Sequence, residues 1–174
     1  LHCFGELDQM ADVILVDTGA GIANHVLEFV LASPEVLVVT TPEPTSLTDS
    51  YSLLKSLYRN PKFNREYTKI SVLSNRVTSA AEGRGVYDKL NTVVGQFLEG
   101  EITYAGMIPQ DSALEKAIRM QKPVSLQAPL SKSARAFEVV AAELLQGESS
   151  DAYRSFGLSR LFSGFWKQKN EGVE

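Results

Sequence analysis

The chain has little of what disulfide-linked, zinc-bound and membrane-spanning proteins are built from. One cysteine, Cys3, and two histidines, His2 and His25, among 174 residues exclude an intrachain disulfide and a four-ligand zinc site. No apolar run reaches the roughly 20 residues a helix needs to cross a bilayer, and residues 1–9 carry no signal-peptide pattern, so the cytoplasm is the expected compartment. A basic excess is missing too: 17 Lys and Arg against 21 Asp and Glu give a net charge of −4. Direct nucleic-acid contact is therefore not expected, and any cationic surface has to be local. The chain also starts without Met, which suggests a fragment or a trimmed sequence.

What is present is enough for one globular domain: 44% apolar and 22% charged residues. Four β-branched apolar runs recur, over residues 12–17, 35–41, 67–75 and 102–108. The first, with Val13, Ile14, Leu15 and Val16 in succession, suits a strand buried on both faces. Helical periodicity fills the intervals. Residues 22–32 repeat Ile22, Val26, Phe29 and Val30; residues 45–58 repeat Leu47, Tyr51, Leu54 and Tyr58; residues 85–98 repeat Val86, Leu90, Val93, Val94 and Phe97. Ser46 with Asp49 resembles a capping pair, and Gly100 is placed to stop the third helix. Helices over 112–120 and 133–145 complete the set. Strands alternating with helices predict an α/β fold, a parallel sheet with helices on both faces.

The first run ends on Asp17 and opens into Thr18-Gly19-Ala20-Gly21. A carboxylate at the carboxyl end of a parallel strand can hold magnesium beside a bound triphosphate, because that ion requires hard oxygen ligands. Glycines let backbone N–H groups approach an anion, and the helix start that follows adds a favourable dipole. Asp17 can equally cap the helix from Ile22 or form an Asx turn. Residues 19–24 are also a partial G-x-G-x-x-G, with Asn24 in the third glycine's place and Glu43 as the acid that binds ribose, which would make the chain an NAD(P)-binding oxidoreductase.

Taken together, four blocks resemble the MinD/ParA family of deviant-P-loop ATPases, and within it the branch that regulates flagellar number. They are residues 12–22, residues 35–49 with their Thr40-Thr41-Pro42-Glu43-Pro44 centre, Ser74-Asn75-Arg76-Val77, and Gly106-Met107-Ile108-Pro109-Gln110-Asp111. The resemblance implies a P-loop NTPase fold over residues 12–145. It implies that Asp17 orders Mg2+ and its waters, that Gly21 senses the γ-phosphate, that Asn75 bonds the adenine edge, that Arg76 flanks the base, and that Pro109, Gln110 and Asp111 form a backbone collar around it. Asn is chemically apt, since its amide pairs a donor with an acceptor. Asn75 can also merely cap a strand end, and Pro109 merely end a strand.

No G-x-x-x-x-G-K-[ST] occurs in the 174 residues, so the lysines that neutralise a triphosphate are not among them. Hydrolysis and tight ATP binding are accordingly not expected of this chain alone, whereas ATP and Mg2+ are expected for an intact parent. In the family the phosphate-loop strand lies beside the Asp17 strand, so a gap or an exposed edge is expected there.

Residues 147–151 read as a linker, dividing a nucleotide-binding portion, 1–147, from 148–174. Beyond the linker, Leu158, Leu161, Phe162, Phe165 and Trp166 fall at helical spacing with Phe156 extending the stripe, and Arg160 and Lys167 lie to the side. This amphipathic segment is expected to bind an anionic inner membrane peripherally or to pack back on the domain. The resemblance further implies an ATP-dependent homodimer and, as partners, a flagellar SRP-type GTPase, basal-body components or a flagellar transcription regulator. A non-enzymatic adaptor that keeps the nucleotide fold is the alternative.

Overall fold

The computed structural model describes residues 10–19 and 21–146. At its centre three strands, β1 (Glu35–Thr40), β2 (Lys69–Val77) and β3 (Thr103–Pro109), form a parallel sheet in the order β1-β2-β3. Parallel neighbours need a long return connection. Here α2 (Pro44–Tyr58) links β1 to β2, and α3 (Ala80–Leu98) links β2 to β3. Before β1 lies α1 (Asn24–Ala32); after β3 come α4 (Ser112–Arg119), α5 (Val124–Gln127) and α6 (Lys132–Gln146).

The pleat divides each strand's side chains between two layers. Val36 and Val38 of β1 and Ile70 and Val72 of β2 meet Val26 and Val30 of α1, Leu54 and Leu57 of α2, and Leu90 and Val94 of α3. Their intervening neighbours Leu37 and Leu73, with Ile108 of β3, meet Ala136, Val140 and Leu144 of α6. The α/β sheet with helices on both faces is as the sequence predicts. Gly106 lets α6 lie close: its φ is +123°, and a Cβ there would sit 3.1 Å from Val140 Cγ2. The second layer covers β1 only in part: Leu37 packs against it, while Val39 is exposed.

Several expectations require correction. The run 12–17 is not a strand, and Val13, Leu15 and Val16 are exposed rather than buried on both faces. A strand is stabilised by a neighbour's backbone, and among the described residues β1 pairs only with β2. Ser46 does not cap α2. That helix opens with Pro44 after an uncapped Glu43, while Ser46 Oγ accepts the Thr41 N–H at 3.0 Å and lies 3.1 Å from Thr40 Oγ1. The third helix starts at Ala80, not Gly85, because Ser79 Oγ accepts the Glu82 N–H and Glu82 accepts the Thr78 N–H in return. It closes on Glu99 in the left-handed conformation, not on Gly100. Finally, β2 continues to Val77. The expected linker and the set expected to bind a membrane, Phe156, Leu158, Arg160, Leu161, Phe162, Phe165, Trp166 and Lys167, lie outside the described residues.

Candidate functional site

The loop that follows the apolar run borders open space. Asp17, Thr18, Gly19 and Gly21 line a cavity of about 540 Å³ whose other walls are the free edge of β1, the Val26 and Val30 side of α1, and Thr45, Ser46 and Asp49 of α2. Gly21 holds φ +106°, a conformation that a side chain would strain. The N-cap of α1 is Ala23, with no side-chain cap bond, so Asp17 is not the cap of that helix. Magnesium takes six oxygens, many from water and phosphate, and needs only one or two carboxylates. Asp17 and Asp49 border the same cavity, and among the described residues no three His, Cys, Asp or Glu side chains converge on a metal. This donor set fits magnesium carried in with a phosphate ligand and does not fit a free-standing metal centre.

A second group gathers at the carboxyl ends of β2 and β3. Pairing of Asn75 with Ile108 and of Val77 with Pro109 sets these ends side by side, across a register shift, and the Gln110 N–H donates to Val77 O at 2.8 Å. Arg76 sits at φ +56°, which costs a non-glycine residue roughly 1 kcal/mol. Asn75 Oδ1 accepts the Arg76 N–H at 2.9 Å, so the acceptor of this amide is engaged locally. The Arg76 charge is also felt at Glu43, the residue just before α2. The Glu43 carboxyl is held below its usual range by the Thr41 side chain first, then by its own backbone N–H, with the Arg76 charge adding to them.

Asp111 has structural work. Its Oδ1 accepts the Ala113 N–H at the start of α4, and its Oδ2 accepts the N–H and Oγ–H of Ser133 at the start of α6. These bonds, the Ser133 N–H foremost, hold its carboxyl below the usual aspartate range. The sequence placed Asp111 in the collar for its backbone. The cap to Ala113 is legible in Asp111-Ser112 before a helical pattern, but the tie to Ser133 is not. Asp49 also joins the rim of the Asp17 cavity in a way the sequence reading missed, having been read as a capping partner. None of Asn75, Arg76, Pro109, Gln110 and Asp111 lines the Asp17 cavity, so the expected residues form two groups: Asp17 with Gly21, and Asn75 and Arg76 with the Pro109 turn.

No family model matches the chain. Among curated proteins it is 40% identical over 144 residues to the antiactivator FleN of Pseudomonas aeruginosa, covering 83% of this chain and 50% of that one. It is 32% identical to the flagellum site-determining protein YlxH of Helicobacter pylori, covering 77% of this chain and 44% of that one. The chain thus spans about half the length of these relatives. Among solved structures, the cell division ATPase MinD of Pyrococcus furiosus superposes with a TM-score of 0.60 at 25% identity, over 81% of this chain and 54% of that one. The septum site-determining protein MinD of Pyrococcus horikoshii, complexed with Mg-ADP, gives 0.62 at 22%, over 86% and 58%, a likeness of fold.

Proposed function

Because this chain belongs to the MinD/ParA family and is FleN-like within it, we propose that it supplies the sensor and base-binding side of an ATP-dependent switch governing flagellar number and placement. The observation that carries this reading is the cavity between the Asp17–Gly21 loop and the edge of β1 that no described residue pairs with. One more parallel strand ending in a phosphate-binding loop would have a backbone ladder waiting on β1 and a carboxylate beside its phosphates. Asp17 would hold the waters of Mg2+, with Asp49 in reach of the same space, and Gly21 would offer its N–H to a terminal phosphate. Asn75, Arg76 and the turn of Pro109, Gln110 and Asp111 would receive the base. The bound Mg2+ would supply charge neutralisation of the phosphates. The known binding of Mg-ADP by the Pyrococcus horikoshii MinD supports this choice of ligand.

Phosphoryl transfer depends on positioning and charge neutralisation, and the 174 residues contain no G-x-x-x-x-G-K-[ST]. Alone they would bind ATP weakly and hydrolyse none. In the ATP state a second copy would dock, and the segment from Phe156 to Lys167 would then reach the anionic inner membrane in two copies, whose contacts reinforce each other. No described helix is long and apolar enough to cross a membrane. The flagellar SRP-type GTPase, the basal body and a transcription regulator are the proposed partners, the last supported by the antiactivator role in the name of FleN. Calorimetric titration with Mg-ATP tests the core of the reading. Tight binding is expected when these residues are joined to a segment that carries a phosphate-binding loop, and not for the 174 residues alone. Weak binding by both would make the protein an adaptor, and submicromolar NADH binding would make it a dinucleotide enzyme.

A further inference from the structure

The helices after β3 invert the charge balance of the chain. From Ser112 to Arg135 there are five cations, Lys116, Arg119, Lys122, Lys132 and Arg135, against the single acid Glu115, in a chain whose net charge is −4. All five are exposed. Among the described residues the ion pairs are Lys69–Glu35 and Arg84–Asp88, so none of the five is paired within the fold, although Lys132 lies near enough to Asp111 to favour its charged form. The apolar residues of this stretch are divided between core and surface. α4, α5 and α6 pack together around Ala117, Val124 and Ala134, with Leu114 and Ala128 partly buried against them, while Ile118 is 66% exposed and Leu126 and Leu130 are each 79% exposed. Three large apolar side chains thus stand outside the packed interior of these helices.

We propose that this surface, centred on α4, α5 and the turn to α6, is a contact site for an anionic lipid bilayer. A leucine four-fifths exposed protrudes, and a protruding apolar side chain finds a partner most readily in a deformable medium. Lysines and arginines beside it then sit at the level of lipid phosphates, each adding attraction to an anionic leaflet. A partner protein would instead have to offer one pocket per protruding side chain, with acids placed between them. The site is built on residues 112–135 and does not depend on the membrane reading of the terminal segment. With both in place, two weak contacts on one chain would reinforce each other and fix which face of the domain meets the membrane.

Co-sedimentation of the 174-residue chain with phosphatidylcholine vesicles containing about one third phosphatidylglycerol tests this. Leu126→Glu with Leu130→Glu, and separately Lys116→Gln with Arg119→Gln and Lys122→Gln, are each expected to lower partitioning about tenfold, with the circular dichroism spectrum unchanged because every altered side chain is exposed. Weak binding to pure phosphatidylcholine is expected in all cases. Partitioning unchanged by both variants, while Phe165→Glu with Trp166→Glu abolishes it, would assign membrane binding to the terminal segment and overturn the proposal. So would failure of the unaltered chain to bind, or retention on duplex DNA that the cation variant loses and the leucine variant keeps.

Discussion

Ile70, Val72 and Leu73 in β2 are 3%, 0% and 6% exposed, whereas Val13, Leu15 and Val16, from a run equally rich in branched apolar residues, are 41%, 86% and 49% exposed. The two runs differ in their neighbours. β2 lies between two strands, exchanging hydrogen bonds with β1 on one side and β3 on the other, and helices cover both its faces. The run 12–17 has no partner among the described residues and faces a cavity across from β1. Strand propensity is therefore permission, and pairing decides.

The sharpest way to break this comparison is to cut the well-packed side. Leu54→Ala, at a side chain with no exposed surface, is expected to cost about 2–5 kcal/mol in urea unfolding. Replacing Gly106 by Ala comes next at about 1–3 kcal/mol, since its positive φ and the 3.1 Å approach of Val140 both oppose a Cβ. Gly21→Ala has nothing within 4 Å and should show the φ penalty alone, about 1 kcal/mol; equal losses at the two glycines would mean that α6 does not hold its close approach.

Asp111→Asn should cost about 1–2 kcal/mol near neutral pH. Its carboxyl is held below the usual aspartate range, so its contribution is complete above that range and disappears as pH falls through the lower, folded value. The gap between wild type and variant should therefore close on acidification below the usual aspartate range, and a gap that stays constant would show that the charge is not what binds α4 to α6. The smallest effect belongs to the unpaired run: Leu15→Ser should change stability by less than about 0.5 kcal/mol. The same change in a chain extended by a phosphate-loop segment should cost several times more if that segment adds a strand beside β1, and an equally small cost there would count against the strand-completion reading.

Much of the fold was legible in the residues. The strands over residues 35–40 and 69–77 announce themselves by β-branched apolar content, although the sequence ends the second at Asn75, and the helical repeats of Leu47, Tyr51 and Leu54 and of Val86, Leu90 and Val94 describe helices that the structure contains. Boundaries were legible where a local bond sets them and a motif advertises it. Ser79 and Glu82 form a reciprocal cap that sequence alone could have supplied, whereas the left-handed Glu99 closes α3 with a residue that carries no such signal. At the candidate site the grouping of Asn75, Arg76 and Pro109 follows from strand ends meeting in register. The separation of that group from Asp17, and the second bond of Asp111 to Ser133 across 22 positions, depend on how distant segments come to rest.

The sequence by itself determined the α/β class, the alternation of strands and helices, and the placement of Asp17, Gly21, Asn75 and Pro109 at the ends of apolar runs, because these follow from side-chain periodicity and from chemistry local to a few residues. Only the tertiary structure decided that one of four strand-like runs stays outside the sheet formed by the described residues, that a cavity opens beside β1, and that Ile118, Leu126 and Leu130 after β3 are left exposed. Each of those outcomes rests on whether a second segment is there to supply hydrogen bonds or cover, which no single stretch of sequence contains.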